Sequence, residues 1–301
     1  MLKQLQKEYG YYLRITKGLA HNTITSYMSD LDEYIRFLTK NYNTSLPDTI
    51  TKQHIRNFLN RLKRKEEAAS SIARKISAIR SFHRFLLQEK EVDENVAFGI
   101  HLPKKDKKLP TVLSIKEIDA LMVASEGDNP LEQRNRAMLE LLYGSGLRVS
   151  ELLNLSLNDL HINTGFIDII GKGNKERIVP LGEESAYALK RYLEDGRQSL
   201  KKHHEPALFI NSRGNKLSRV GLYKVIKTLT KKAGIMKDVS PHTLRHSFAS
   251  HLLENGVDLR YVQELLGHED VSTTQIYTHI NKNQLKDVYD RYHPRSHNKE
   301  E

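Results

Sequence analysis

Cysteine is absent from this chain of 301 residues, and no apolar run is long enough to cross a membrane. Without cysteine the chain can form no disulfide, carry no catalytic thiol and hold no thiolate-bound metal. A bilayer-spanning helix needs about 20 consecutive, mainly apolar residues. The first residues, from Met1 to Leu5, also lack the apolar region of a secretory signal. These absences predict a cytoplasmic protein that does not partner a membrane and whose stability comes from packing.

Acidic residues are outnumbered by basic ones. The chain has 48 Lys and Arg against 37 Asp and Glu, which gives a formal net charge of +11 and a sequence pI near 9.5. Such a balance favours a polyanionic partner, although a membrane surface would attract it as well. The length predicts about two domains, each large enough for its own core.

A charged segment divides the chain roughly one to two. Residues 102–110 contain two prolines and four lysines and show no apolar periodicity, which is typical of an extended linker. We therefore expect a first domain at 1–102, a linker at 103–110 and a second domain at 111–301.

The first domain is predicted to be helical. Apolar residues recur at steps of three and four from Ile24 to Leu38, from Ile55 to Leu62 and from Ile72 to Leu86. The last of these helices carries four basic residues beside its apolar stripe: Arg74, Lys75, Arg80 and Arg84. They are candidates for contact with DNA phosphates, and a merely solvated surface is the open alternative.

The second domain mixes helices with strands, so the fold class is mainly α with a small antiparallel β-sheet in the C-terminal domain. A capping box at Ser114–Glu117 predicts a helix start, and a second helix is expected from about 132 to 143. Residues 166–170 and 177–181 have the pattern of two strands. The turn between them is rich in glycine and carries Lys172. Because glycine has no side chain, the backbone of this turn can approach a ligand closely.

A proline-led helix is predicted to begin after Ser240. Pro241 suits its first position, so His242 and Arg245 should share one face of its first two turns. The positive end of a helix favours anions there. Another helix is predicted to begin after Asp258 and to stop at glycine 267.

Six residues suit the breaking of a DNA phosphodiester. Such a cleavage needs an in-line nucleophile, cations for the nonbridging oxygens and a proton for the departing oxygen. Tyr277 suits the nucleophile, because its phosphate ester conserves bond energy for rejoining. Arg148 and Arg245 are suited to bind the nonbridging oxygens, since a guanidinium group can donate two hydrogen bonds to one phosphate. Lys172 is the candidate general acid for the 5′ hydroxyl.

The remaining two of the six are histidines, and a carboxylate supports the set. His242 and His268 can position the phosphate and exchange protons near neutral pH. Glu151, one helical turn after Arg148, is expected to orient that region, with a surface carboxylate that pairs locally as the alternative.

Two other functions compete for the same residues. The helices around 255–258 resemble a helix-turn-helix, which would make the chain a DNA-binding protein without enzymatic activity. That function would leave most of the six candidate catalytic residues without a role. His242 and His246 have the spacing of zinc ligands on a helix. However, Arg245 between them is unfavourable beside a dication, and no Glu follows His242.

The motifs together resemble the tyrosine recombinases of the phage integrase family, and in particular those of the Xer type. The resemblance is carried by the segments 144–152, 171–175, 240–246, 265–268 and 275–279. It implies six catalytic residues, all present here: Arg148, Lys172, His242, Arg245, His268 and Tyr277.

The resemblance also implies a two-domain clamp on duplex DNA, with a SAM-like core-binding domain, and strand exchange through 3′-phosphotyrosyl links in a cyclic tetramer without ATP or metal. The Xer likeness implies resolution of chromosome dimers at a dif-type site. It suggests as partners a XerC-like recombinase, or the chain itself, and a DNA translocase of the FtsK/SpoIIIE type. Integrases and transposon recombinases share this chemistry and remain the alternative. A helix expected at 281–292 would either dock on a neighbouring protomer or fold back on its own domain.

Overall fold

The computed structural model describes residues 1–100, 111–171, 176–267 and 282–296. The chain separates into two compact units, Met1–Lys108 and Leu109–Glu301. The predicted linker, 103–110, lies outside the described residues. The domain bounds expected from the sequence therefore stay predictions.

The described part of the first unit is helical, as the sequence predicted. Its helices are α1 (Leu2–Ile15), α2 (His21–Tyr42), α3 (Lys52–Arg64) and α4 (Ala69–Gln88). Thr51 caps α3 by accepting a hydrogen bond from the backbone N–H of His54. The core contains Tyr34, Phe58 and Phe82, all fully buried.

The second unit surrounds a small sheet with helices. The helices are α5 (Ile115–Ala124), α6 (Pro130–Gly144), α7 (Val149–Asn154), α8 (Glu183–Arg191), α9 (Arg197–Leu200), α10 (Arg219–Lys232), α11 (Pro241–Glu254), α12 (Leu259–Leu266) and α13 (Lys282–Tyr292). A π-helical turn, Tyr192–Gly196, joins α8 to α9. The predicted capping box is present, because Ser114 and Glu117 each accept a hydrogen bond from the other's backbone N–H.

The described strands form one antiparallel sheet in the order β1 (Leu160–His161), β2 (Phe166–Ile170) and β3 (Glu176–Pro180). Phe166 pairs with Pro180, and Ile170 pairs with Glu176. The small antiparallel sheet expected in this half of the chain is thereby confirmed. Lys172, in the turn between β2 and β3, lies outside the described residues.

Helix α13 packs on its own unit. Leu285 and Tyr289 belong to the core of the second unit, and Arg295 beyond the helix pairs with the fully buried Glu140. Docking on a neighbouring protomer stays a prediction. Every helix in the described parts of the chain is too short or too polar to traverse a bilayer.

Candidate active site

Three arginines converge on the C-terminal end of α12. Each donates a hydrogen bond to one of three consecutive carbonyl oxygens: Arg177 to Leu265 (3.4 Å), Arg245 to Leu266 (2.5 Å) and Arg148 to Gly267 (2.9 Å). The last carbonyls of a helix lack intrahelical partners and carry partial negative charge, so cations stabilise this end. The end of α12 therefore fixes three guanidinium groups in one place.

A glycine turn brings Arg148 next to Arg245. Gly146 has φ 58°, and a Cβ at this position would come within 2.5 Å of the Phe248 ring. Only glycine fits both the backbone angle and the space. The carbonyl oxygen of Gly146 accepts a hydrogen bond from Arg245 at 2.6 Å, two residues before Arg148 begins α7 as its N-cap.

Glu151 lies buried between the three arginines, with 5% of its surface exposed. One of its oxygens accepts from the backbone N–H of Arg148 at 2.8 Å, and the other from the Arg148 side chain, also at 2.8 Å. Arg177 bridges both oxygens at 2.8 and 2.9 Å, and Arg245 Nη1 lies 3.7 Å from Oε2. Burial opposes ionisation, but the hydrogen bonds from Arg177 and then Arg148 outweigh it and lower the pKa of Glu151 to about 2.

The cluster keeps an excess of positive charge, because three guanidinium groups face one carboxylate. Burial, and then the charge of Arg148, lowers the pKa of Arg245 to about 10, so Arg245 stays charged at neutral pH. The Arg148 side chain is 34% exposed and spends two of its five N–H groups on Glu151 and Gly267. The arrangement can therefore hold a phosphate through the N–H groups of Arg148 for which the described residues supply no acceptor.

His242 lies exposed in the first turn of α11, near this cluster. Ser240 caps the helix as predicted, by accepting from the backbone N–H of Thr243. Partial burial lowers the pKa of His242, and the positive charge of Arg219 is the next cause. The imidazole is thus neutral at pH 7 and can either donate or accept a proton. Among the described residues, no group of three His, Asp or Glu is placed to hold a metal ion, as a His242–His246 zinc pair would require.

The structure brings together Arg148, Glu151, His242 and Arg245 of the predicted set. Lys172, His268 and Tyr277 lie outside the described residues, and their roles stay predictions. Sequence reasoning missed Arg177.

The strand pattern alone gave no signal for Arg177, because β3 carries apolar residues on both faces, and only the structure shows which face is buried. Alternate residues of a strand share a face, and Arg177 shares its face with the buried Val179. On that face the charge of Arg177 has a buried partner, which is Glu151.

Two of the four basic residues of α4 are already engaged within the first unit. Arg74 pairs with Asp30. Lys75 is only 7% exposed and pairs with Glu33 and with Glu67, the latter at 2.9 Å. Lys75 thus does not lie on the exposed basic face expected from the sequence, because two carboxylates hold its ammonium group in the interior. Contact of this helix with DNA stays a prediction, and Arg80 and Arg84 are its better-placed members.

Comparisons with known proteins identify the class to which this chain belongs. Residues 111–284 match the phage integrase family, and residues 7–90 match the N-terminal SAM-like domain of phage integrases. The chain therefore belongs to the phage integrase family of tyrosine recombinases and is a site-specific DNA recombinase. The resemblance and the fold class predicted from the sequence are confirmed. The chain is therefore an enzyme and not the DNA-binding protein without enzymatic activity that the helix-turn-helix pattern suggested.

Individual relatives cover nearly the whole chain. The tyrosine recombinase XerD of Oceanobacillus iheyensis is 49% identical over 98% of this chain and 100% of the relative. The solved structure of the XerA recombinase is 32% identical, with a TM-score of 0.50 over 98% of this chain and 100% of that one. The XerH site-specific recombinase, solved in a post-cleavage complex with a palindromic difH substrate, is 25% identical, with a TM-score of 0.68 over 96% and 84%.

Proposed function

We propose that this recombinase cuts DNA by attack of the Tyr277 hydroxyl on a phosphodiester. The phenol gives its proton to one of the two histidines, His242 or His268, and forms a 3′-phosphotyrosyl bond, while the bond to the 5′ oxygen breaks and the 5′ oxygen receives a proton. Arg148 and Arg245 bind the nonbridging oxygens of the phosphate. The observation that carries this proposal is the convergence of these two arginines on Glu151 and on the carbonyl end of α12.

The other roles follow from residue chemistry and from the family. Lys172 donates the proton to the 5′ oxygen, and His242 and His268 position the phosphate and exchange protons. The neutral state of His242 at pH 7 supports such an exchange, because a neutral imidazole has one donor and one acceptor nitrogen. Glu151 orients the arginines.

A DNA suicide substrate, nicked so that the strand beyond the cleavage site diffuses away, tests the nucleophile. Wild-type protein should accumulate a covalent adduct that denaturing gel electrophoresis resolves. Tyr277→Phe should form no adduct while it binds the same DNA, because only the phenolic oxygen is lost. Tyr261→Phe, another tyrosine of the same unit, is the control. An adduct that persists in Tyr277→Phe contradicts the assignment.

Lys172→Ala should slow cleavage of ordinary DNA by about two orders of magnitude or more. A 5′-phosphorothiolate substrate should be cleaved at nearly the wild-type rate, because a thiolate leaves without a proton. The measurement is the single-turnover rate of adduct formation on both substrates. Equal defects on the two substrates would remove Lys172 from the general-acid role.

The biological reaction that we propose is the resolution of chromosome dimers in the cytoplasm at a dif-type site. The protein would act in a cyclic tetramer with a XerC-like recombinase or with copies of itself, activated by a DNA translocase of the FtsK/SpoIIIE type. Support comes from the likeness to XerD, which extends over both units of the chain. This role is tested by measuring recombination at cloned dif sites from the organism's own genome. The measurement is made with this protein in cells with and without the translocase. Efficient recombination only at the end of a mobile element would favour the integrase alternative.

The first domain, proposed at 1–102 and joined by a linker at 103–110, contributes affinity for DNA backbone through the basic face of α4. Arg80→Gln with Arg84→Gln should flatten the slope of log affinity against log salt by at most about two units, since each phosphate contact contributes about 0.9. Fluorescence anisotropy with duplex DNA across a salt series measures this slope. Lys75→Gln is not a suitable substitution here, because it breaks buried ion pairs. An unchanged slope would identify the face as solvated surface.

A further inference from the structure

Arg177 of β3 is the member of the arginine cluster to which the proposed chemistry assigns no role. Its guanidinium spans the Glu151 carboxylate, with Nη1 2.8 Å from Oε1 and Nη2 2.9 Å from Oε2. Its Nε donates to the carbonyl oxygen of Leu265 at 3.4 Å. The side chain is only 12% exposed, so water screens these contacts weakly.

The end of α12 is shaped around this side chain. Gly267 ends the helix with φ 61°, and a Cβ at this position would lie 3.1 Å from Nε and Nη1 of Arg177. A glycine satisfies the left-handed backbone and also lets the guanidinium lie against the helix end. Arg177 thus contacts the last turn of the helix that immediately precedes His268 in the chain.

Glu151 transmits this contact to the phosphate-binding arginines. Its carboxylate holds Arg148 through two hydrogen bonds of 2.8 Å and faces Arg245 at 3.7 Å. A carboxylate held by a single point charge can rotate and shift. The bidentate pairing with Arg177 fixes both the position and the plane of the carboxylate. The direction in which Arg148 and Arg245 present their free N–H groups depends on that plane.

We propose that Arg177 is a positioning residue for strand cleavage: it holds Glu151 and the carbonyl end of α12 so that Arg148 and Arg245 present a preformed site to the scissile phosphate. This role rests on the proposed function. We assign Arg177 no contact with the reacting atoms, because three of its five N–H groups are directed to Glu151 and Leu265 and its side chain is only 12% exposed.

The electrostatic consequence of losing Arg177 has a definite sign. Burial alone raises the pKa of Glu151, and the hydrogen bonds of Arg177 come first among the interactions that lower it. Without Arg177 the pKa of Glu151 rises, so the carboxyl group becomes protonated at a higher pH than in the wild type. A protonated Glu151 no longer attracts Arg148 and Arg245. The defect should therefore grow as the pH falls.

The experiment measures single-turnover adduct formation by full-length Arg177→Met and Arg177→Lys on a suicide substrate, from about pH 4.5 to about pH 8.5, a series that reaches the ordinary titration range of a glutamic acid. Arg177→Met should cleave about a hundredfold more slowly at neutral pH, as expected for misplaced phosphate ligands, and slower still at the acid end. Arg177→Lys should be intermediate, since an ammonium cannot bridge both carboxylate oxygens. Arg191→Ala is the matched control, because Arg191 is partly exposed at the end of α8 and pairs with exposed Asp128.

A second substitution separates positioning from folding. In the Arg177→Met background, Glu151→Gln removes the titrating group, so the extra loss at acid pH should disappear. Wild-type rates in both Arg177 variants overturn the proposal. A defect of one constant factor at every pH, accompanied by a lower melting temperature, also overturns it, because it shows a folding role alone. If Arg177→Met does not fold, Arg177→Lys decides by the same pH series. Wild-type protein that forms no adduct would instead refute the proposed function itself.

Discussion

Alanine at Arg148 or Arg245 should slow strand cleavage by about a hundredfold to a thousandfold, the usual cost of removing a preorganised donor from a developing anionic centre. Both guanidinium groups are held in place before any substrate binds, since Glu151, the Gly146 carbonyl and the end of α12 fix them. Binding of a DNA site should change far less, because many phosphates outside the cleavage site contribute to affinity.

Neutralising the scissile phosphate distinguishes charge compensation from structure. A methylphosphonate at that position removes one negative charge, so it should partly restore cleavage in both alanine variants. The recovery should be fuller for Arg148→Ala. Arg245→Ala also leaves the carbonyls of Gly146 and Leu266 without their donor in the interior, a defect that the substrate cannot repair. Arg191→Ala should behave as wild type on both substrates. Absence of rescue in both variants would assign the arginines a structural role only.

The sequence predicted those features that depend on local chemistry. The caps at Ser114 and Ser240 follow from side chains that bond to their own backbone, and the stop of α12 at Gly267 follows from a left-handed backbone angle. The sequence analysis could place Arg148, His242 and Arg245 in one site because all three belong to the motifs of the resembled family. Local chemistry thus carried the prediction of the helix ends, whereas the roles of the site residues stay predictions that rest on the motif.

Features that depend on long-range packing were not accessible in this way. Arg177 meets Glu151 from 26 positions away in the chain, and nothing in the local pattern of either residue names the other. Lys75 looked like part of a basic face, but Glu33 of α2 and Glu67 before α4 draw it into the interior. In both cases a carboxylate from another part of the chain pairs with the basic side chain, so that its charge is used within the fold.

The C-terminal segment shows the same dependence on distant partners. After α13 the chain brings Arg295 onto Glu140, with Nε–Oε2 and Nη2–Oε1 distances of 2.8 and 2.7 Å. Arg295 also reaches Glu184 at 2.9 Å. Tyr289 is fully buried and stacks on His293 with ring centroids 4.7 Å apart. Truncation from residue 285 would therefore remove part of the unit's own core, and it would test docking on a neighbour poorly.

A point substitution at Arg295 should be strongly destabilising. Arg295→Met keeps most of the aliphatic stem but leaves the fully buried Glu140 with Arg136 as its remaining close cation. Removing one partner of a buried ion pair costs about 3–5 kcal/mol when the other charge is left uncompensated, and we expect the lower end of this range because Arg136 still pairs with Glu140. For a unit of this size, that loss lowers the melting temperature by on the order of 10 °C. Differential scanning calorimetry of the full chain should show it.

The double variant Arg295→Met with Glu140→Gln shows whether the cost comes from the stranded charge. With the carboxylate replaced by a neutral amide, the buried charge disappears, so the double variant should be more stable than Arg295→Met alone. Arg191→Ala breaks an exposed pair with Asp128 and should cost no more than about 1 kcal/mol. A loss below that value for Arg295→Met would mean that this pairing does not anchor the segment. A double variant less stable than the single one would place the cost in packing around Arg295 rather than in the charge of Glu140.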